Sequence, residues 1–394
     1  MTAVSITPNM RPREGSLRIL VSDDQPDILE ALRLLLKGAG YLAETVDSPQ
    51  ALLRALDARS FDLILMDLNY ARDTTSGQEG LDLLDKLRVR TDCAPVVVMT
   101  AWGNVELAVD AMHRGATDFV QKPWDNLRLL GTIEKQAREA AARRSAERQA
   151  RSEIEIARHV QEKLFPQPVK QLRSIEYAAR CVPARDVSGD YYDFLDLGHD
   201  ALGFVLADVS GKGMAAALLM ASLQAAFRSQ TEVLRGCELL RSINRQFHSS
   251  TPPEQYATLF YADYDDRSRM VRYINCGHPA PLLVRADGAV ERLPSTAPVV
   301  GLLEVWDCEE AAMHIGPGDT LVAFSDGVTE AGIEDEAEFG EERLIAAVTS
   351  ARGASPDEII DDVMARICAH AGAAADDCTM LVIRGVGSCQ SGRT

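Results

Sequence analysis

The chain has 394 residues, 46% hydrophobic and 25% charged, with a formal charge of −18 at pH 7. These are globular proportions, which exclude wholesale disorder, and the length suffices for two or three domains that each bury a core. The acidic balance argues against a nucleic-acid partner, because phosphate backbones are bound by basic faces.

Taken in chain order, residues 1–16 form a tail without the apolar core of a signal peptide. Leu17 to Val21 is an apolar run ending in Ser22-Asp23-Asp24, followed by Pro26 and a helical pattern through Leu29, Leu32, Leu35 and Leu36. Further runs at Phe61 to Met66, Pro95 to Met99 and Asp118 to Val120 are separated by helix-length segments. Strands alternating with helices predict a parallel sheet with its ligands at the carboxyl ends of the strands. The polar residues at those ends are Asp23, Asp24, Asp67, Thr100 and Lys122. Phosphoryl chemistry on an aspartate requires such a set: a pair of acids for Mg²⁺, a carboxylate to take the phosphoryl group, and a hydroxyl and an ammonium to hold its oxygens.

With its Met99-Thr100-Ala101-Trp102-Gly103 and Phe119-Val120-Gln121-Lys122-Pro123-Trp124 stretches, the segment 17–132 closely resembles a response-regulator receiver domain. The resemblance implies an α/β flavodoxin-like fold with a five-stranded parallel sheet and a sensor histidine kinase as partner. It makes Asp67 the phosphoacceptor, places Mg²⁺ at Asp23, Asp24, Asp67 and the Asn69 carbonyl, gives Thr100 and Lys122 the phosphoryl contacts, and makes Phe119 the aromatic switch residue. In one departure from the family, Tyr70-Ala71 stand where Met-Pro is usual, and the stretch to Gly80 is longer than normal.

From Ile133 to Leu164 the chain is rich in Ala, Arg and Glu and lacks Gly and Pro, which predicts one long helix within a linker over 133–165. Apolar residues recur at intervals of three and four, with Arg143 to Arg148 interrupting the seam, a pattern open to a solvated spacer helix or a dimeric coiled coil; the coiled coil, and with it a homodimer, is the expectation.

The segment 166–386 carries a repeated grammar of apolar run, carboxylate and small residue. It appears at Val187-Ser188-Gly189-Asp190, Ala207-Asp208-Val209-Ser210-Gly211-Lys212-Gly213, Ser325-Asp326-Gly327-Val328 and Ala375-Asp376-Asp377-Cys378-Thr379. Carboxylates without accompanying His or Cys suit hard cations such as Mg²⁺ or Mn²⁺, and the economical reading is an all-oxygen, two-metal site. These motifs, with Asn275-Cys276-Gly277-His278-Pro279-Ala280-Pro281, resemble the PP2C superfamily of metal-dependent serine/threonine phosphatases, in its sporulation and sigma-factor-regulating branch.

That resemblance implies an α+β sandwich layered α/β/β/α, with two central antiparallel sheets. It makes Asp190, Asp208, Asp326 and Asp376 metal acids, with the Val209 carbonyl a further ligand and Asp377 in support or on a third ion. Arg185 lies where a phosphate-clamping arginine would sit, and His278 reads as a loop-stabilising residue. Two cations would activate a water for in-line attack on a phosphoseryl or phosphothreonyl ester. The function expected is a response regulator whose phosphorylation on Asp67 controls this phosphatase, acting on an anti-sigma factor antagonist in a partner-switching pathway. The alternative is a catalytically silent adaptor of the same fold.

A flexible tail, 387–394, closes the chain. The eight cysteines include no C-x-x-C pair and read as small buried hydrophobes of a reducing compartment, neither a disulfide framework nor a zinc site. No run of 18 apolar residues occurs, so a cytoplasmic location without a membrane partner is expected.

Overall fold

The computed structural model describes residues 16–70, 77–90, 94–100, 105–166, 170–198, 200–332, 338–372 and 376–387. It divides into two compact units, one ending at Arg151 and one beginning at Ser152. The long stretch after Tyr70, the Ala101-Trp102-Gly103 run and most of both expected tails lie outside the described residues.

The first unit alternates β1 (Arg18–Ser22), α1 (Pro26–Gly38), β2 (Leu42–Val46), α2 (Pro49–Ala58), β3 (Leu63–Asp67), α3 (Gln78–Arg88), β4 (Val96–Thr100), α4 (Val105–His113), β5 (Asp118–Gln121) and α5 (Asn126–Glu162). Its strands form one parallel sheet in the order β2-β1-β3-β4-β5. The period of two along each strand divides the core. Leu20, Ile64, Met66 and Val98 pack with Leu52 of α2, Leu84 of α3 and Ala111 of α4. Ile19, Val21, Leu65, Val97 and Met99 pack on the other face with Leu32 and Leu36 of α1 and Leu129, Ile133 and Ala137 of α5. Prolines fit the first turns of α1 and α2, where a backbone N–H is dispensable, and Ser48 caps α2 by accepting the Ala51 N–H.

Helix α5 begins at Asn126, so the segment read as a linker continues the receiver's last helix without a break, and Ile133 and Ala137 belong to the receiver core. From Ala141 to Arg151 its side chains are exposed apart from the half-buried Arg144.

The second unit continues from the end of α5 through β6 (Ile175–Val182), β7 (Asp190–Asp196), β8 (Ala201–Val209), α6 (Met214–Gln230), α7 (Gly236–Ser250), β9 (Ala257–Asp265) and β10 (Met270–Cys276). There follow β11 (Leu282–Val284), β12 (Val290–Arg292), β13 (Ala311–His314), β14 (Thr320–Phe324), α8 (Asp326–Thr329), α9 (Gly340–Ser350), α10 (Pro356–Ala371) and β15 (Cys378–Gly385). Two antiparallel sheets form, ordered β13-β10-β9-β8-β7 and β12-β11-β14-β15-β6. Leu202, Phe204 and Leu206 of β8 meet Leu321, Ala323, Leu381 and Ile383 between the sheets. The alternate residues Val205, Ala207 and Val209 pack with α6 and α7, and Val322 and Phe324 pack with α9 and α10. Two sheets, each apolar on both faces and each covered by a helix pair, give an α/β/β/α sandwich. Asp190 and Asp208 are register partners on β7 and β8.

Cys237 and Cys308 are neighbours with their Cα atoms 5.9 Å apart, and among the described residues Cys181, Cys276, Cys368 and Cys378 have no cysteine beside them. The partners are 71 residues apart in sequence and meet where the start of α7 packs against the loop before β13, so no local spacing announces them. Among the described residues no helix is long and apolar enough to cross a membrane.

Candidate functional site

In the first unit the strand ends gather Asp23, Asp24 and Asp67, whose ligand oxygens lie within 4.8 Å of one another. Lys122 Nζ donates to Asp67 Oδ2 and to Asp23 Oδ2, each at 2.7 Å. Asp67 Oδ1 accepts the Leu68 N–H at 2.8 Å, and Asp23 Oδ1 accepts the Gln25 N–H at 2.9 Å. Burial pushes the Asp67 carboxyl up, and the Lys122 ammonium offsets this only in part. Burial alone would lower the Lys122 ammonium, but its bonds to Asp23 and Asp67 together raise it.

Buried acceptors remain at this site: Asp24 Oδ1 and Asn69 Oδ1 have no hydrogen-bond partner. Clustered carboxylates with orphaned oxygens fit a hard divalent cation, so the residues suit the Mg²⁺ that such a site implies. Thr100 is buried at the end of β4, with its carbonyl accepting the Lys122 N–H at 2.7 Å. Phe119 on β5 is 44% exposed. Tyr70, the departure noted in the sequence, is buried, and its hydroxyl hydrogen-bonds Ser22 Oγ at 2.8 Å, tying the chain after Asp67 to the end of β1.

In the second unit Asp190 opens β7, Asp208 lies near the end of β8, Asp326 starts α8 and Asp376 lies just before β15. Burial, then the charges of Asp326, Asp376 and Asp377, push the Asp208 carboxyl up to about 7. Burial and the charge of Asp208 raise Asp190 well above its ordinary value, and burial with Asp376 raises Asp326. Among the described residues no three of these acids present ligand atoms as closely as the receiver trio does. They are electrostatically coupled but more widely spread. The donor set is all oxygen, and the repulsion that raises these carboxyls is what a cation would relieve.

Two glycines keep the space open. A Cβ at Gly189 would come within 3.1 Å of the Val209 carbonyl oxygen, and one at Gly327 would collide with the Asp377 carbonyl.

Asp377 holds a loop beside these acids. Its Oδ1 accepts the Ala184 N–H and its Oδ2 accepts the Ser188 hydroxyl and the Gly189 N–H, all at 2.8 Å, so both oxygens are occupied in holding the loop before Asp190. Arg185, on that loop, is exposed and makes no hydrogen bond or ion pair among the described residues, and its charge opposes that of Lys212. His278 is buried, its Nδ1 hydrogen-bonds Thr258 Oγ1 at 2.9 Å, and burial lowers its imidazole to about 3. It is neutral and holds the turn between β10 and β11.

Three residues here had no assigned role in the sequence. Thr379 Oγ1 donates to Asp190 Oδ2 at 2.5 Å. Ser325 Oγ accepts the Thr379 N–H at 2.9 Å and donates to the Asp377 carbonyl at 3.1 Å. Lys212 Nζ pairs with Asp376 Oδ2 at 2.7 Å. All three lie inside the quoted motifs, and inward alternation on β15 was the available signal for Thr379.

Residues 19–134 match the model of the response regulator receiver domain, and residues 198–385 match that of stage II sporulation protein E. The chain is 33% identical over 194 residues to phosphoserine phosphatase RsbU of Bacillus subtilis, covering 49% of this chain and 58% of that protein. It is 36% identical over 122 residues to the transcriptional regulatory protein FixJ of Bradyrhizobium diazoefficiens, covering 31% and 57%. The fold of the second unit is shared with the SiaA-PP2C domain of Pseudomonas aeruginosa, at TM-score 0.55, 19% identity, and coverage of 61% of this chain and 98% of that one. The chain thus spans less than two thirds of the length of these two curated relatives. Residues 19–134 thus carry a response regulator receiver domain and residues 198–385 a domain of the stage II sporulation protein E family.

Proposed function

We propose that the chain is a metal-dependent phosphoserine/phosphothreonine phosphatase controlled by phosphorylation of Asp67. The observation that carries this reading is the group of Asp190, buried, and Asp208 and Asp326, half-buried, whose carboxyls are all raised by burial and by neighbouring carboxylates. A binding platform has no use for so unfavourable an arrangement, whereas a cation site requires it. Asp190, Asp208, Asp326, Asp376 and the Val209 carbonyl would hold Mn²⁺ or Mg²⁺. Such ions, when bound, supply an activated water and charge neutralisation at the phosphoryl group. Arg185 binds a phosphoryl oxygen from the solvent side. Thr379 and Ser325 orient Asp190, and Asp377 fixes the loop that carries Arg185.

In the receiver, Asp67 takes the phosphoryl group from a phosphohistidine of a sensor kinase; Asp23, Asp24, Asp67 and the Asn69 carbonyl would hold Mg²⁺, which would neutralise phosphoryl charge there. Lys122 and the Thr100 hydroxyl then hold the new oxygens, and Phe119 reports the change. The likeness to RsbU, a phosphoserine phosphatase, supports a phosphoserine substrate; the anti-sigma factor antagonist class is what the sequence resemblance implies, and pairing through α5 would make the protein a homodimer.

The test is release of phosphate from a phosphoserine peptide by the full chain in Mn²⁺. Turnover should vanish in excess chelator and fall by about 10³-fold or more in Asp326→Asn, with the circular dichroism spectrum unchanged. Undiminished turnover in chelator would refute the metal reading. An intact Mn²⁺ site without turnover would favour the adaptor instead.

A further inference from the structure

The last turn of α5 buries one polar side chain. Gln161 is 6% exposed, while Val160, Glu162 and Lys163 beside it are exposed. Its Nε2 donates to the Ser188 carbonyl at 2.7 Å and its Oε1 accepts the Ser188 N–H at 2.9 Å. Both halves of the amide are therefore engaged by one backbone residue, as a neighbouring strand would engage it. Burying a glutamine forfeits side-chain freedom and hydration that an apolar residue would not lose, so its return lies in the geometry it fixes.

Ser188 is itself a junction. Its Oγ donates to Asp377 Oδ2 at 2.8 Å and accepts the Asp190 N–H at 2.9 Å. The next residue is Gly189, which lies against the Val209 carbonyl. Asp377 grips the loop over 184–189 from the strand side, and Gln161 grips it from the helix. The end of α5 has separate attachments as well: the Leu164 carbonyl accepts from Gln224 Nε2 at 3.2 Å, and Phe165 stacks on Tyr192 with ring centroids 5.0 Å apart. Docking of the helix end therefore does not depend on Gln161 alone.

We propose that Gln161 is a positioning residue of the phosphatase site, by which the end of α5 sets the peptide at Ser188 and so the placement of Asp190 and the Val209 carbonyl toward one cation. The assignment rests on the cation reading above. It gives the linker helix a specific point of action: a shift of its last turn displaces a liganding segment, not a surface.

The test is Mn²⁺ titration calorimetry on the full chain, taking as the phosphatase site the binding component that Asp326→Asn removes. Gln161→Met fills the same space without hydrogen bonds, and Phe165→Leu weakens the docking of the helix end while leaving the Ser188 contacts. Gln161→Met should weaken that component by about tenfold, as loss of a support behind a metal ligand does. Phe165→Leu should lower the melting temperature and leave the affinity within about twofold. Parent-like affinity in Gln161→Met, or an equal loss in Phe165→Leu, would overturn the assignment. A parent titration matching that of Asp326→Asn would overturn the cation reading, and with it this one.

Discussion

In the receiver one ammonium, that of Lys122, lies 2.7 Å from two of three clustered carboxylates, inside the protein. In the second unit Asp208 is repelled by Asp326 and Asp376 with no cation beside it among the described residues, while Lys212 pairs with Asp376 at a half-exposed rim. The contrast follows from the chemistry each site is built for. A carboxylate that is to become an acyl phosphate needs a resident cation that can transfer to the phosphoryl oxygens, and Lys122 supplies it. A site that is to activate water leaves its acids unneutralised, so that ions from solution bind strongly.

Removing each lysine is the sharpest way to break this comparison. Lys122→Met leaves buried Asp23 and Asp67 without their shared partner, and in chelator it should destabilise the receiver by about 3 kcal/mol in urea denaturation. Lys212→Met removes a pair with both side chains more than a third exposed and should change stability by less than about 1 kcal/mol. Equal losses would show that the two sites are neutralised alike.

A smaller effect concerns pH. Asp208 titrates near 7 in the fold against 3.8 for the ordinary group, so the folded state binds its proton more tightly than the unfolded chain does. Its stabilising share is then complete below about pH 4 and lost as pH rises through 7. Without metal the second unit should weaken by about 2 kcal/mol between pH 5 and 8, because Asp190 and Asp208 titrate as a pair. Saturating Mn²⁺ or Asp208→Asn should flatten the profile, and a parent profile already flat in chelator would contradict the repulsion.

Much of both sites was legible because each acid stands at a strand end beside small residues, where an apolar run stops at a carboxylate. β1, β3 and β4 are buried and read as continuous apolar runs, whereas β2, Leu42-Ala43-Glu44-Thr45-Val46, is a half-covered edge whose side chains are mixed, so composition alone passes over it. The three-residue β12 and four-residue β13 are edges too short to show a period. α7 begins at Gly236 without a side-chain cap, so its start carries no signal. Gln161 and Ser188 are 27 positions apart and Cys237 and Cys308 are 71 apart; such partners are chosen by tertiary packing. The particular partners of Asp377 were hidden for the same reason, since they lie nearly two hundred residues upstream.

The central claim is that the acid site at Asp67 governs the acid site at Asp190, Asp208, Asp326 and Asp376. The direct measurement is the rate of phosphoserine-peptide hydrolysis in saturating Mn²⁺, before and after treatment with acetyl phosphate, for the parent and for Asp67→Ala. A change of severalfold in the parent and none in Asp67→Ala is predicted. Equal rates in the treated and untreated parent, with Asp67 shown to be phosphorylated, would contradict it.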